Sequence, residues 1–269
     1  MLKAILSFLF ESIGKSILIK EYRYLIILGI RLLLKPDNGK IKIHGNKIWY
    51  NDRKSLFYQY YEIYCKKYYD LPIQFDSSYR ILDCGANIGL SALRIHHNQP
   101  ELKIICYEPD RTVFEKLQHN TSKVPKENIQ LINAGVYINN GKVQFVADGK
   151  DGGRVSDEVS NNTEEIQVVD LKEIMKESSP IALIKMDIEG AEHDVLPYIK
   201  SEITKVQYFF LEFHQLKGTK NNLANLMQPF ENAGFNYVID IPKNYHNPFN
   251  YKGLNDMFES QINVFFGRF

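Results

Sequence analysis

Arg80-Ile81-Leu82-Asp83-Cys84-Gly85-Ala86-Asn87-Ile88-Gly89 carries an apolar run into an acid and then through two glycines with the spacing DxGxxxG. The pattern reads as a β-strand turning tightly into an α-helix that begins near Ile88, the first unit of an open α/β sheet. Gly85 permits the turn, and Gly89 lets a ligand or a strand approach the helix closely. Asp83 can accept a hydrogen bond from an ammonium group or an ordered water. The GxGxxG spacing that seats a pyrophosphate on a helix N-terminus is missing, so the ligand expected here lacks a diphosphate. Strand-turn-helix units with these glycines also arise for structural reasons alone.

Further along, Ile104-Ile105-Cys106-Tyr107-Glu108 is a second buried-looking strand ending in an acid, the placement that bonds ribose hydroxyls. Pro109 opens the following helix where a missing N–H is harmless, which leaves Glu108 at the strand's carboxyl edge, facing the cleft. Asp110 reads as an ordinary acid of that helix's first turn.

A third apolar run, Ile181-Ala182-Leu183-Ile184, leads straight into Lys185-Met186-Asp187-Ile188-Glu189-Gly190-Ala191-Glu192. Alternation puts Lys185 and Asp187 on one face of this strand and Ile184 and Met186 on the other. Charges at the end of a strand destined for burial need a partner, a ligand or solvent. Two readings stand: Asp187 and Glu189 cap the next helix, or they line an active site. Phe209-Phe210-Leu211-Glu212-Phe213-His214 is a fourth such strand, with Glu212 and His214 on one face. Ligands gather at the carboxyl ends of strands in open sheets, so these two should border the same crevice as Asp187. His214 titrates near neutrality and is a candidate base for a hydroxyl acceptor, or else a structural hydrogen-bonder. Asp187, Glu212 and His214 also offer oxygen and nitrogen ligands for a divalent metal, which the spacing leaves undecided.

Taken together, Asp83 to Gly89, Tyr107-Glu108-Pro109-Asp110, Asn133-Ala134 and Lys185 to Glu192 resemble the FkbM family of methyltransferases, in the family's order and over about Ile41 to His214. Gly152-Gly153-Arg154-Val155-Ser156 and Val168-Val169-Asp170-Leu171 resemble its middle segment, except that Val169-Asp170-Leu171 replaces the usual Thr-Leu-Asp, so Asp170 is given no role. The resemblance implies a class I methyltransferase fold that binds S-adenosylmethionine. Asp83, Gly85, Ala86, Asn87 and Gly89 would surround the methionine part, Glu108 the ribose, and Asn133 and Ala134 the adenine. It also implies O-methylation of a sugar, a glycolipid or a hydroxylated metabolite, with Asp187, Glu189 or His214 removing the proton. The acceptor itself is not assigned, since substrate does not follow from fold.

Around these blocks, apolar strands alternate with amphipathic stretches, the pattern of an α/β domain whose mostly parallel, seven-stranded sheet is covered by helices on both faces. The strands fall near residues 80–84, 103–107, 129–136, 182–187, 207–213, 236–241 and 262–266, with two further short strands at 142–146 and 166–169. Residues 149–162 are polar and glycine-rich and read as a loop that is mobile or ordered only by ligand. The expected divisions are a helical segment over 1–38, a hairpin and covering helix over 39–75, and the cofactor-binding domain over 76–269. The hairpin turns at Gly45-Asn46, and the helix runs from Leu56 to Tyr69.

Composition narrows the function further. A formal net charge of +1 gives no general pull toward nucleic acid. Cys65, Cys84 and Cys106 lack CxxC spacing, and no apolar stretch reaches the ~20 residues needed to span a bilayer, so a cytoplasmic setting is expected. Residues 1–35 nevertheless hold six basic against two acidic side chains among apolar residues at helical spacing, which suits either packing on the core or peripheral contact with the inner membrane surface. Two rival functions remain in view. An NAD-linked oxidoreductase also places an acid after its second strand but needs the diphosphate loop, and a catalytically silent binding protein would keep the fold and use Met1 to Leu34 as its contact.

Overall fold

The computed structural model describes residues 20–146, 154–155, 163–216, 222–241 and 258–268. The amphipathic pattern of residues 1–19, and the 149–162 loop apart from Arg154–Val155, lie outside the described residues.

Helix α1 (Lys20–Leu33) precedes a hairpin of β1 (Gly39–Ile43) and β2 (Asn46–Tyr50), and helix α2 (Arg53–Tyr60) follows. Asp52 caps α2, accepting the Ser55 N–H at 2.7 Å, so the helix starts before the expected Leu56. A π-turn at Tyr61–Cys65 closes it, and Lys67 with φ +60° ends the run short of Tyr69.

The remainder alternates strand and helix: β3 (Arg80–Cys84), α3 (Leu90–Asn98), β4 (Lys103–Tyr107), α4 (Arg111–Thr121), β5 (Ile129–Ile132), β6 (Gly135–Tyr137), β7 (Gly141–Val146), β8 (Arg154–Val155), β9 (Thr163–Asp170), α5 (Leu171–Met175), β10 (Ile181–Met186), α6 (Glu192–Ile199), β11 (Val206–Leu216), α7 (Leu223–Asn232), β12 (Asn236–Asp240) and β13 (Phe258–Gly267). Seven strands form the main sheet in the order β5-β4-β3-β10-β11-β13-β12. The ladders from β5 through β11 are parallel, and β13 runs antiparallel to both β11 and β12. The chain leaves β3 toward β4 on one side and returns to β10 on the other, so a switch point opens at the carboxyl ends of β3 and β10.

Residues 129–136 are not one strand as expected. Asn133 leaves the ladder because its Nδ2 donates to the carbonyls of Glu108 (2.8 Å) and Pro109 (3.1 Å), and β6 then joins a second sheet of order β6-β9-β7-β8. Asp170, at the end of β9, caps α5 by accepting the Glu173 N–H and also accepts the Tyr198 hydroxyl at 2.7 Å.

Side chains alternate into two apolar layers. On one face Ile81, Ile104 and Phe210 pack with α3 and α4 and with Leu25, Leu28, Ile41, Ile48 and Leu56 of the first helices and hairpin. On the other face Leu82, Ile105, Ile184 and Phe209 pack under Leu171, Leu196 and Phe230 of α5, α6 and α7. The described part of the N-terminal extension therefore shares a core with the sheet.

Candidate active site

The turn after β3 is held from both sides. Gly85, Asn87 and Gly89 take φ of +80°, +49° and +84°, and the N–H groups of Gly85 and Ala86 donate to Tyr107 O at 3.0 and 2.9 Å. A Cβ on Gly85 would lie 1.8 Å from the Asp187 carbonyl oxygen, so only glycine lets the ends of β3 and β10 approach this closely. Gly89 differs from expectation. Its missing Cβ makes room for Leu117 Cδ1 of α4, 2.5 Å from where that Cβ would stand, rather than for a ligand or a strand. The helix starts at Leu90 with Gly89 as its cap, two residues after the expected Ile88.

Asp83 is fully buried. Its Oδ2 accepts the Ser91 hydroxyl at 2.6 Å, and its Oδ1 lies 3.4 Å from Lys185 Nζ. The ammonium this carboxylate faces is thus one of the chain's own. Lys185 stands opposite Asp83 in the β3/β10 register, donates to Gly85 O at 2.6 Å, and lies 3.4 Å from Asp187 Oδ2. Burial opposes its charge, but Asp187, Asp83 and Glu212 raise its pKa, so the ammonium ties the glycine turn to the end of β10.

Glu108 sits at the carboxyl end of β4, as expected. Its Oε2 accepts the Asn87 N–H and its Oε1 the Asp110 N–H, both at 2.9 Å. Burial pushes its pKa up to about 8, against the two backbone donors. With that pKa the carboxyl is largely protonated at neutral pH, so beyond the two backbone N–H groups it offers a ribose diol one O–H donor and a remaining acceptor lone pair. Ala86 and Ala134 are buried, while the exposed Asn133 stays tied to the end of β4.

The acids after β10 do not cap α6, whose N-cap residue Ala191 makes no side-chain bond. Glu192 holds this loop instead, accepting the N–H groups of Ile188 (3.2 Å) and Gly190 (2.7 Å) and meeting His214 Nδ1 at 3.1 Å. His214 Nε2 lies 3.4 Å from Glu189 Oε2 and 3.6 Å from Glu212 Oε1. Burial disfavours the imidazolium, yet Glu189, Glu192 and Glu212 outweigh it and raise the His214 pKa well above the usual imidazole value. Held by three of the chain's own acids, His214 is a weaker base at neutral pH than its residue type alone suggests. Asp187 and Glu189 keep some access to solvent, with side chains 26% and 17% exposed, whereas Glu192 and His214 are closed off. Glu189 is also held at φ +54°, and burial raises its pKa well above the usual carboxylate range.

Two further side chains belong here. Gln261 of β13 donates to Glu212, and the buried Tyr69, packed edge-on to Phe210 with ring centroids 5.1 Å apart, has its hydroxyl pKa raised by burial and by Asp187 and Glu212. Tyr69 closes the stretch read as the covering helix, but nothing local marked Gln261. Asp187, Glu212 and His214 bring ligand atoms within 4.8 Å of one another, so they are a donor set of the kind a divalent cation takes.

A parallel sheet reversed only at β13, with a glycine turn at its switch point and an acid closing the neighbouring strand, defines a class I methyltransferase fold. Within that class the chain belongs to the methyltransferase FkbM domain family, which it matches over residues 83–237. It is 28% identical over 153 residues to the 2-O-methyltransferase NoeI of Sinorhizobium fredii, a match covering 49% of this chain and 62% of that protein. It is 23% identical over 209 residues to Methyltransferase 1 of Beauveria bassiana, covering 67% of this chain and 81% of the relative. Among solved structures, an S-adenosylmethionine-dependent methyltransferase from Agrobacterium tumefaciens superposes with a TM-score of 0.50 at 8% identity, over 87% of this chain and 71% of the other.

Proposed function

We propose that the chain transfers a methyl group from S-adenosylmethionine to a hydroxyl of a sugar, a glycolipid or a hydroxylated small molecule. The observation that carries this reading is the pair Asp187 and Glu189, the acids that keep solvent access where β10 ends beside the glycine turn. The name of the Sinorhizobium fredii relative, a 2-O-methyltransferase, supports oxygen as the acceptor atom.

The turn over Asp83 to Gly89 presents no diphosphate cradle, and the remaining donor and acceptor of the Glu108 carboxyl suit a ribose diol, so these residues fit a nucleoside cofactor without a diphosphate. When bound, S-adenosylmethionine supplies an electrophilic sulfonium methyl. The chain's own part is to hold Asp187 and Glu189 where an acceptor hydroxyl enters, with the Lys185 ammonium beside one carboxylate and the His214 imidazolium beside the other. The residues from Asp83 to Gly89 and Glu108 would hold the donor, whose sulfonium would yield its methyl to the acceptor oxygen and leave as the thioether, while Asp187 would take the hydroxyl proton and Glu189, raised by burial, would hydrogen-bond the acceptor. Positioning supplies much of the rate, because two bound reactants meet without further ordering.

Incubating the full chain with methyl-labelled cofactor and a panel of glycans, glycolipids and hydroxylated metabolites is expected to label an oxygen. On the acceptor so found, Asp187→Asn should lower turnover by about 10²–10⁴-fold, the range for loss of a general base, and Glu189→Gln should weaken acceptor binding. Labelling of nitrogen or carbon alone, or full activity in both variants, would remove the O-methyl reading.

A further inference from the structure

Helix α1 buries one face and leaves the other bare. Tyr22, Leu25, Leu28 and Leu32 enter the core, while Lys20, Arg23, Ile27, Ile30 and Leu34 recur at steps of three and four and point outward. Ile27 is 53% exposed, Ile30 52% and Leu34 85%. An aliphatic patch on a helix otherwise well seated in its core is a surface awaiting a partner.

Charge says which partner. Residues 1–60 hold eleven Lys and Arg against four Asp and Glu, whereas residues 61–269 hold 22 against 28, so the chain's near-neutral total conceals a basic N-terminal region. Lys20 and Arg23 lie on the same stripe as the aliphatic residues, and exposed Lys35 adjoins Leu34 at its end. Among the described residues none of these three bases forms an ion pair. Arg31, by contrast, is engaged with the Lys42 carbonyl at 3.0 Å. Aliphatic side chains flanked by bases that pair with no acid among the described residues, with long stems that reach outward, match a surface offering hydrocarbon below and negative charge above. A second copy of the chain would meet this stripe with the same positive charge. No helix among the described residues is long and apolar enough to cross a membrane, so the fit is to contact in the interface plane.

We infer that the outer stripe of α1, from Lys20 to Leu34, docks the protein on an anionic lipid surface. Three aliphatic residues or a few bases alone bind lipid weakly, so docking needs both. The contact is independent of methyl transfer and stands or falls separately from it.

Co-sedimentation of the full chain with lipid vesicles tests this. The chain should pellet with phosphatidylcholine vesicles containing phosphatidylglycerol, at least about tenfold more than with phosphatidylcholine alone, and high salt should release it. The Ile27→Glu/Ile30→Glu double variant should stay in the supernatant, and Lys20→Glu/Arg23→Glu should lose the preference for anionic lipid. Both alter only exposed side chains, so each should unfold at the wild-type temperature. Three results would overturn the inference: no binding to anionic vesicles, binding unaffected by either variant, or a lipid-free dimer that Ile27→Glu/Ile30→Glu dissociates.

Discussion

Gly85→Ala is expected to destabilise the fold by about 4 kcal/mol and to lower the unfolding midpoint by roughly 10 °C. Two effects add. At φ +80° an alanine is held in the left-handed region, which costs about 1–2 kcal/mol. The larger part is steric, because the new Cβ would stand 1.8 Å from the Asp187 carbonyl oxygen. That oxygen is backbone and cannot rotate aside, so β3 and β10 must separate at the ends that form the crevice. Gly45→Ala isolates the first effect, since Gly45 has φ +86° with nothing within 4 Å of its missing Cβ, and should cost only about 1–2 kcal/mol. Calorimetric unfolding of both variants decides the matter. Equal midpoints would show that the close approach at Gly85 contributes nothing.

Lys185→Met should be of similar size, about 3–5 kcal/mol, the range for breaking a buried pair from one side. Methionine fills much of the volume but leaves the fully buried Asp83 facing no cation except the Ser91 hydroxyl dipole. The variant is then most stable with Asp83 protonated. With the folded-state pKa of Asp83 raised above its unfolded value, stability is present at low pH and falls as pH rises past that unfolded value. Urea unfolding should therefore show Lys185→Met closer to wild type at pH 5 than at pH 8. Adding Asp83→Asn should recover much of the loss and flatten the pH dependence. A single variant as stable as wild type at pH 8 would mean that Lys185 holds nothing together there.

Why some of this was legible and some was not follows from how far each cause reaches along the chain. The β3 turn, the Glu108 strand and the β10 acids are local patterns, an apolar run with a chemical stop at its carboxyl end, and each lies where its residues placed it. The reversal of β13 between β11 and β12 depends on pairings across the sheet and leaves no local mark. The partner of Gly89 is Leu117, which a turn read by itself cannot reveal. His214 read as a candidate base because imidazole titrates near neutrality and its own strand shows only Glu212 beside it. Its proton is held by Glu189 and Glu192 from the loop and helix after β10 and by Glu212 from its own strand, brought together only by folding. Asp83 looked open to a ligand for the same reason, since Lys185 lies on a strand a hundred residues away in the chain.

Calorimetric titration of the full chain with S-adenosylhomocysteine and, separately, with NAD tests most directly whether the crevice at the ends of β3, β4 and β10 takes a nucleoside cofactor without a diphosphate. S-adenosylhomocysteine should bind with one site per chain, NAD should give no heat of binding, and Glu108→Ala should weaken the first by about tenfold or more, the worth of a pair of hydrogen bonds. Saturable NAD binding with none for S-adenosylhomocysteine would contradict that assignment.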